Sequence, residues 1–137
     1  MPYLAVAIGG FLGAIARYLF SEWLGTLHGF PVATLIINIA GSAFLSWFYT
    51  LTLERLPIHP HLRLGIGTGF VGAFTTFSTL TVDVWNLTAA DLFSWAGLYL
   101  LLTFGGGLLA AAAGYLVAAR QSTLRWVRPA HGADEEM

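Results

Sequence analysis

Cysteine and lysine are both missing from this chain of 137 residues, and only 9% of it is charged. Without cysteine there are no disulfides, no thiolate metal sites and no redox indication of compartment. The six basic residues are all arginines, set against seven acidic ones, for a formal net charge of −1. No basic tract is present to follow a phosphate backbone, so nucleic acid is not an expected partner. The machinery of an enzyme is absent as well: no nucleophile–base pair, no paired carboxylates, no phosphate loop, no ligand cluster. What the chain has in quantity is apolar surface. Hydrophobic residues make up 57% of it and the mean hydropathy is +0.74, far from the composition of an ordinary soluble domain.

Uncharged runs divide the chain into four spans. The first covers about 3–23, with Arg17 inside it and Glu22 near its end; the others cover 31–53, about 62–85 (uncharged from 64 to 82), and 92–119. Runs of this length suit a hydrocarbon core about 30 Å thick, and the fourth is long enough to tilt or to project beyond it. The first span lacks a basic leader and contains glycines and Arg17, so it reads as a span and not as a signal peptide. Short connections fall at 25–30, at 54–61 around Pro57 and Pro60, and at 84–91. The expectation is an all-α integral membrane protein, with one four-helix domain over 1–120 and a loose polar tail over 121–137. That tail ends in Asp134, Glu135 and Glu136.

Small residues indicate where helices touch. Gly9 and Gly13, Gly65 and Gly69, and the series Gly106, Ala110 and Gly114 all recur at four-residue spacing. That period lets backbones approach closely in lipid, where apolar burial does not drive helix association. It is a packing signal and carries no function by itself. Four helices with so much close-packing surface enclose little interior volume, which points to an oligomer.

The most informative stretch is Gly65–Leu80, GIGTGFVGAFTTFSTL. It lies inside an uncharged run, yet it is crowded with glycines and then with hydroxyls and rings. Polar or non-helical backbone at membrane depth is tolerated only where protein or a water-filled cavity surrounds it, so this segment is expected to line a path. In the second span Asn38 sits between isoleucines, and Thr34, Ser42 and Ser46 share its face at intervals of four. Two readings of Asn38 stand side by side: a hydrogen bond between helices, or an amide offering two donors to an anion. Arg17 likewise has two readings, a pair with Glu22 or a positive charge at a pore mouth that concentrates anions. His59 and His61 bracket Pro60 without enough nearby ligands for a metal and read as a solvated loop. Asp83 is expected at the membrane interface. Amide and hydroxyl donors without fixed negative charge favour an anion over a cation, and phenyl edges can meet an anion without trapping it.

The strings GGFLGAIARY (Gly9–Tyr18), TLIINIAGSAFL (Thr34–Leu45) and GFVGAFTTFSTL (Gly69–Leu80) resemble, in order and spacing, the signatures of the Fluc (CrcB-type) fluoride channels. The resemblance covers the chain from its start to about Ala119. It implies a passive fluoride exporter of the prokaryotic inner (plasma) membrane, built as an antiparallel dimer with two pores and a broken third helix. A structural sodium ion at the dimer's centre, held by backbone carbonyls at that break, is part of the same implication. Asn38 matches the pore asparagine and Phe77 the first pore phenylalanine. Thr79, Tyr99 and Thr103 match the hydroxyl track, with Ser78 and Thr34 close by. Gly72 and Thr75 match the sodium-holding carbonyl positions, and Arg17 the arginine of the first helix.

One position departs from the pattern. Leu80 stands where the family usually has a second phenylalanine, and leucine has no positive ring edge to offer an anion. Phe74, one turn before Phe77, does not occupy the missing position. A small four-helix multidrug-type transporter has similar size, but its proton coupling calls for a carboxylate deep in the first helix, where this chain has Arg17 and only the terminal Glu22. Charge and resemblance also pull apart over orientation. Arg55, Arg63, Arg120, Arg125 and Arg128 all fall on the side of the termini, which favours one insertion direction. An antiparallel homodimer needs both directions, and a heterodimer with an oppositely biased homologous chain is the alternative.

Overall fold

The computed structural model describes residues 2–54, 56 and 58–123. Arg55, Pro57, Arg125, Arg128 and the tail ending in Asp134, Glu135 and Glu136, on which several expectations fall, lie outside the described residues. The described chain is all-helical. Helix α1 spans Pro2–Leu24 and α2 spans Val32–Glu54. A short helix α3 (Pro60–Leu64) runs into a π-helical segment, Gly65–Val71, then a single α-helical turn α4 (Gly72–Phe74). Thr75 and Thr76 are extended, α5 covers Phe77–Ala89, and α6 covers Phe93–Thr123.

The ends of these elements follow from local chemistry. Helix α1 stops at Gly25, whose φ of +57° suits a residue without Cβ and whose N–H closes on the Ser21 carbonyl at 2.9 Å. Leu27 and Phe30 then exchange hydrogen bonds at 3.0 and 2.9 Å across His28 and Gly29, both at positive φ. That is the tight reversal such dihedrals permit. His59 caps α3 through its ring, Nδ1 accepting from the His61 N–H at 3.2 Å. The two imidazoles lie 4.6 Å apart, and no group of three metal-ligating side chains occurs among the described residues.

Among the described residues, three helices are long and apolar enough to cross a membrane: Pro2–Leu24, Val32–Leu53 and Phe93–Gln121. The stretch read as a third span, for which the resemblance implies a broken helix, is divided into shorter pieces. At 31 residues α6 is about 46 Å long, well beyond the hydrocarbon thickness.

Packing is organised by glycine. Helix α1 lies on the π-helical segment and α4, and α2 lies on α6. A Cβ on Gly9 would strike the Gly65 carbonyl, and one on Gly13 would strike the Phe70 carbonyl. From the other side, Cβ atoms on Gly65 and Gly69 would come within 2.9 and 2.6 Å of the Ala5 and Val6 carbonyls. In the second pair, Gly114 of α6 meets the Ala43 carbonyl of α2. These are the close approaches that the four-residue spacing predicts. A small core of Phe30, Leu80, Leu87, Ala96 and Tyr99 joins α5 to α6. Elsewhere large apolar side chains face outward, among them Tyr3, Trp23, Leu108 and Leu109. Such a surface suits lipid and partner chains, not water.

Arg63 sits at the start of the third stretch and reaches back to α2, its Nη2 donating to the Thr52 carbonyl at 2.7 Å. A cation at a helix C-terminus binds carbonyls that lack helical donors and opposes the negative end of the helix dipole.

Candidate ion path

The break at Thr75–Thr76 is where the candidate residues meet. A helix that ended there in lipid would leave backbone donors and acceptors bare, at several kcal/mol each. Asn38 removes that problem for Thr76. Its Nδ2 donates to the Thr76 carbonyl at 3.0 Å and its Oδ1 accepts from the Thr76 N–H at 2.8 Å. Gly41, one turn further along α2, makes room for the break, because a Cβ there would strike the Thr75 methyl group.

Thr76 is also the N-cap of α5. Its Oγ1 accepts from the Thr79 N–H at 3.1 Å, and the same hydroxyl lies 3.2 Å from Ser78 Oγ and 3.0 Å from Thr79 Oγ1. In an uninterrupted helix the N–H groups of Thr76 and Thr79 would bond the carbonyls of Gly72 and Thr75. Both donors are engaged elsewhere, so these two carbonyls are released from helical bonding. The N–H groups of Phe77 and Ser78, in the first turn of α5, likewise have no acceptor within the new helix.

Beside the break an open groove of about 400 Å³ runs between α2, α5 and α6. Asn38, Thr75, Phe77, Leu80 and Thr103 line it, with Thr76, Ser42 and Phe104 among others, and among the described residues no charged side chain borders it. Phe77 is 72% exposed, so its ring stands free at the groove. Leu80 is 4% exposed and packs into the Tyr99 core with only a flank on the groove. Phe74 turns the other way, stacked on Phe70 and edge-on to Phe20 of α1, and so does not stand in for a second groove ring.

The remaining candidates divide. Thr103 Oγ1 donates to the Tyr99 carbonyl of its own helix at 2.8 Å, and Ser42 Oγ does the same to Asn38 at 2.8 Å. Ser78 and Thr79 are exposed members of the Thr76 hydroxyl cluster. Tyr99 has no exposed surface; its hydroxyl donates to Asp83 Oδ2 at 3.0 Å, with Thr34 beside it. Gly72 is exposed, with open space where a Cβ would stand. Arg17 is half-buried on α1 and does not border the groove. Glu22, five residues on, lies about 140° around the helix from it, so the two do not share a face.

Sequence reasoning missed the central position of Thr76, which looked like one hydroxyl in a run. Its signal was available: a threonine followed three residues later by the first protected amide of an apolar helix is an N-cap pattern. It also placed Asp83 at the interface, without its tyrosine partner.

Comparison with known proteins bears on what the groove belongs to. The profile of a family described as "CrcB-like protein, Camphor Resistance (CrcB)" matches residues 4–115. The chain belongs to the CrcB-like family. It is 43% identical over 120 residues to the fluoride-specific ion channel FluC 1 of Moorella thermoacetica, covering 86% of each chain. It is 46% identical over 118 residues to the fluoride-specific ion channel FluC 2 of Carboxydothermus hydrogenoformans, covering 86% of this chain and 87% of that one. With FluC 2 of Geobacillus kaustophilus it shares 43% identity over 120 residues, 86% of this chain and 93% of the other. This CrcB-like protein is thus a helical membrane protein of a channel family and not an enzyme.

Proposed function

We propose that the protein is a fluoride-selective channel that lets fluoride leave the cell passively and so lowers its toxicity inside. The observation that carries this reading is an uncharged groove in which amide, hydroxyl and ring-edge groups converge, in a chain so similar to proteins named fluoride-specific ion channels. Fluoride is small and strongly hydrated, so only closely spaced donors replace its water. Asn38 supplies an N–H, the first turn of α5 presents unpaired backbone N–H groups at its positive end, and Phe77 presents a ring edge. None of these is a fixed cation that would hold the ion in place. Of the hydroxyl track that the resemblance implies, Thr103 borders the groove; Ser78, Thr79, Tyr99 and Thr34 stand outside its lining, and the Tyr99 hydroxyl is committed to Asp83. Arg17 lies outside the groove of one chain, and its role in drawing anions belongs to the pore mouth.

The working unit is an antiparallel homodimer in the inner membrane, with four spans per chain and the divided stretch as the third. This one sequence holds Asn38, Phe77 and the break together, which favours two copies over a heterodimer. A sodium ion fits the donors present. Gly72 and Thr75 have carbonyls released from helical bonding, and neutral oxygens are the hard ligands a small cation takes. A sodium ion held there would supply positive charge; the chain's part is to hold those carbonyls free.

Purified protein in liposomes should dissipate a fluoride gradient and leave a chloride gradient intact. Asn38→Ala and Phe77→Ala should reduce fluoride efflux sharply while a folded dimer remains. Equal fluoride and chloride flux in the unaltered protein would sink the assignment.

A further inference from the structure

We infer that Asn38 is a positioning residue that holds the break in the third stretch, leaving one amide hydrogen for the groove. Its link to an anion rests on the function proposed above; its link to the break does not.

Asn carries one acceptor oxygen and two N–H donors. The Thr76 N–H can only donate and the Thr76 carbonyl can only accept, so these two partners fix which way the amide faces. The oxygen meets the N–H at 2.8 Å and the nitrogen meets the carbonyl at 3.0 Å. One N–H therefore remains, on a residue that borders the groove. The sequence-based picture of two donors offered to an anion is reduced to one.

The same pairing sets the fate of the neighbouring carbonyls. If the Thr76 N–H were not held by Asn38, its nearest alternative acceptor would be the Gly72 carbonyl of a resumed helix. A resumed helix would also return the Thr79 N–H to the Thr75 carbonyl and end the capping role of Thr76 Oγ1. One amide on α2 thus controls both released carbonyls on the neighbouring stretch. Alanine cannot do this. An aspartate in its acid form can: its carbonyl accepts from Thr76 N–H and its O–H donates to Thr76 O, with no hydrogen left over.

The test uses full-length protein with three readouts: amide exchange by mass spectrometry over residues 70–82, thermal stability in sodium chloride against N-methylglucamine chloride, and fluoride efflux. Asn38→Ala should let the helix resume: Phe77 and Ser78, whose N–H groups lack an acceptor at the break, should exchange roughly tenfold more slowly, the scale of one gained hydrogen bond, and the sodium response should be abolished. Asn38→Asp should keep near-normal exchange and sodium response yet lose fluoride efflux. Ser42→Ala, which removes only a bond to Asn38's own carbonyl, should leave exchange unchanged. Unaltered exchange at Phe77 and Ser78 in Asn38→Ala, or exchange in Asn38→Asp slowed to match that of alanine, would overturn the positioning role. Full fluoride efflux by Asn38→Asp would overturn the single-donor role. Absence of fluoride flux in the unaltered protein, with these exchange differences intact, would instead defeat the channel reading alone.

Discussion

Leu80 shows how one side chain can face two demands. One flank closes the core with Tyr99, Phe30 and Leu87, and another borders the groove. Leu80→Ala should cost about 2–5 kcal/mol through the cavity it leaves, read as a lower thermal midpoint in detergent. Leu80→Phe should cost about 1–3 kcal/mol through overpacking and raise fluoride efflux by adding a ring edge; unchanged efflux would show that no second ring is needed there. At the neighbouring cap, Thr76→Ala should lose about 0.5–2 kcal/mol, and Thr76→Ser, which keeps the accepting oxygen, should recover most of it. These residues also mark the reach of the sequence. Asn38 was visible because an amide in an apolar run is rare. Its partner was not, because that partner is a backbone group 38 residues away and periodicity carries no record of it. Leu80 was legible as a departure from a pattern, but its burial depends on Phe30 and Tyr99, which only the fold brings to it.

Between helices, the contacts that decide the packing involve backbone more than side chains. Where α1 crosses the π-helical segment, Gly9, Gly13, Gly65 and Gly69 bring main chains together without intervening side chains. No rotamer change can relieve a Cβ placed there. Gly13→Val should therefore prevent α1 from seating and abolish the folded species on size exclusion. Gly10→Ala is the matched control, because its Cβ would find its nearest neighbour at 3.8 Å and should be tolerated. The glycine spacing announced these contacts correctly, as it also announced those of α6. It gave no sign of the π-helical turns at Gly65–Val71, since hydrophobic spacing does not register whether a hydrogen bond closes four residues back or five. The division of the third stretch was implied by the family resemblance; the uncharged run at 64–82 by itself, through its glycine–hydroxyl composition, hinted only at something other than a plain span.

For the whole molecule, the open matter is which way the chain enters the membrane. Arg63, one of the arginines that bias the terminal side, is engaged with the end of α2 once folded, but during insertion it still counts as a positive charge. A single cysteine introduced near the carboxyl terminus of this cysteine-free chain should be labelled from both sides of the membrane in cells if the unit is an antiparallel homodimer. Labelling from the cytoplasm alone would mean that a partner chain supplies the inverted half.

The Asn38–Thr76 pairing also sets an order of events in biogenesis. Entering lipid alone, the stretch from Gly65 to Val82 has nothing to satisfy a broken backbone, so its lowest-energy form there is a continuous helix. Asn38 arrives on a different helix, already inserted ahead of it in the chain. Only when the two lie side by side does an outside donor and acceptor replace the bonds a break removes. On the four-span reading proposed above, the interruption is therefore expected to form late, when the third stretch docks against α2.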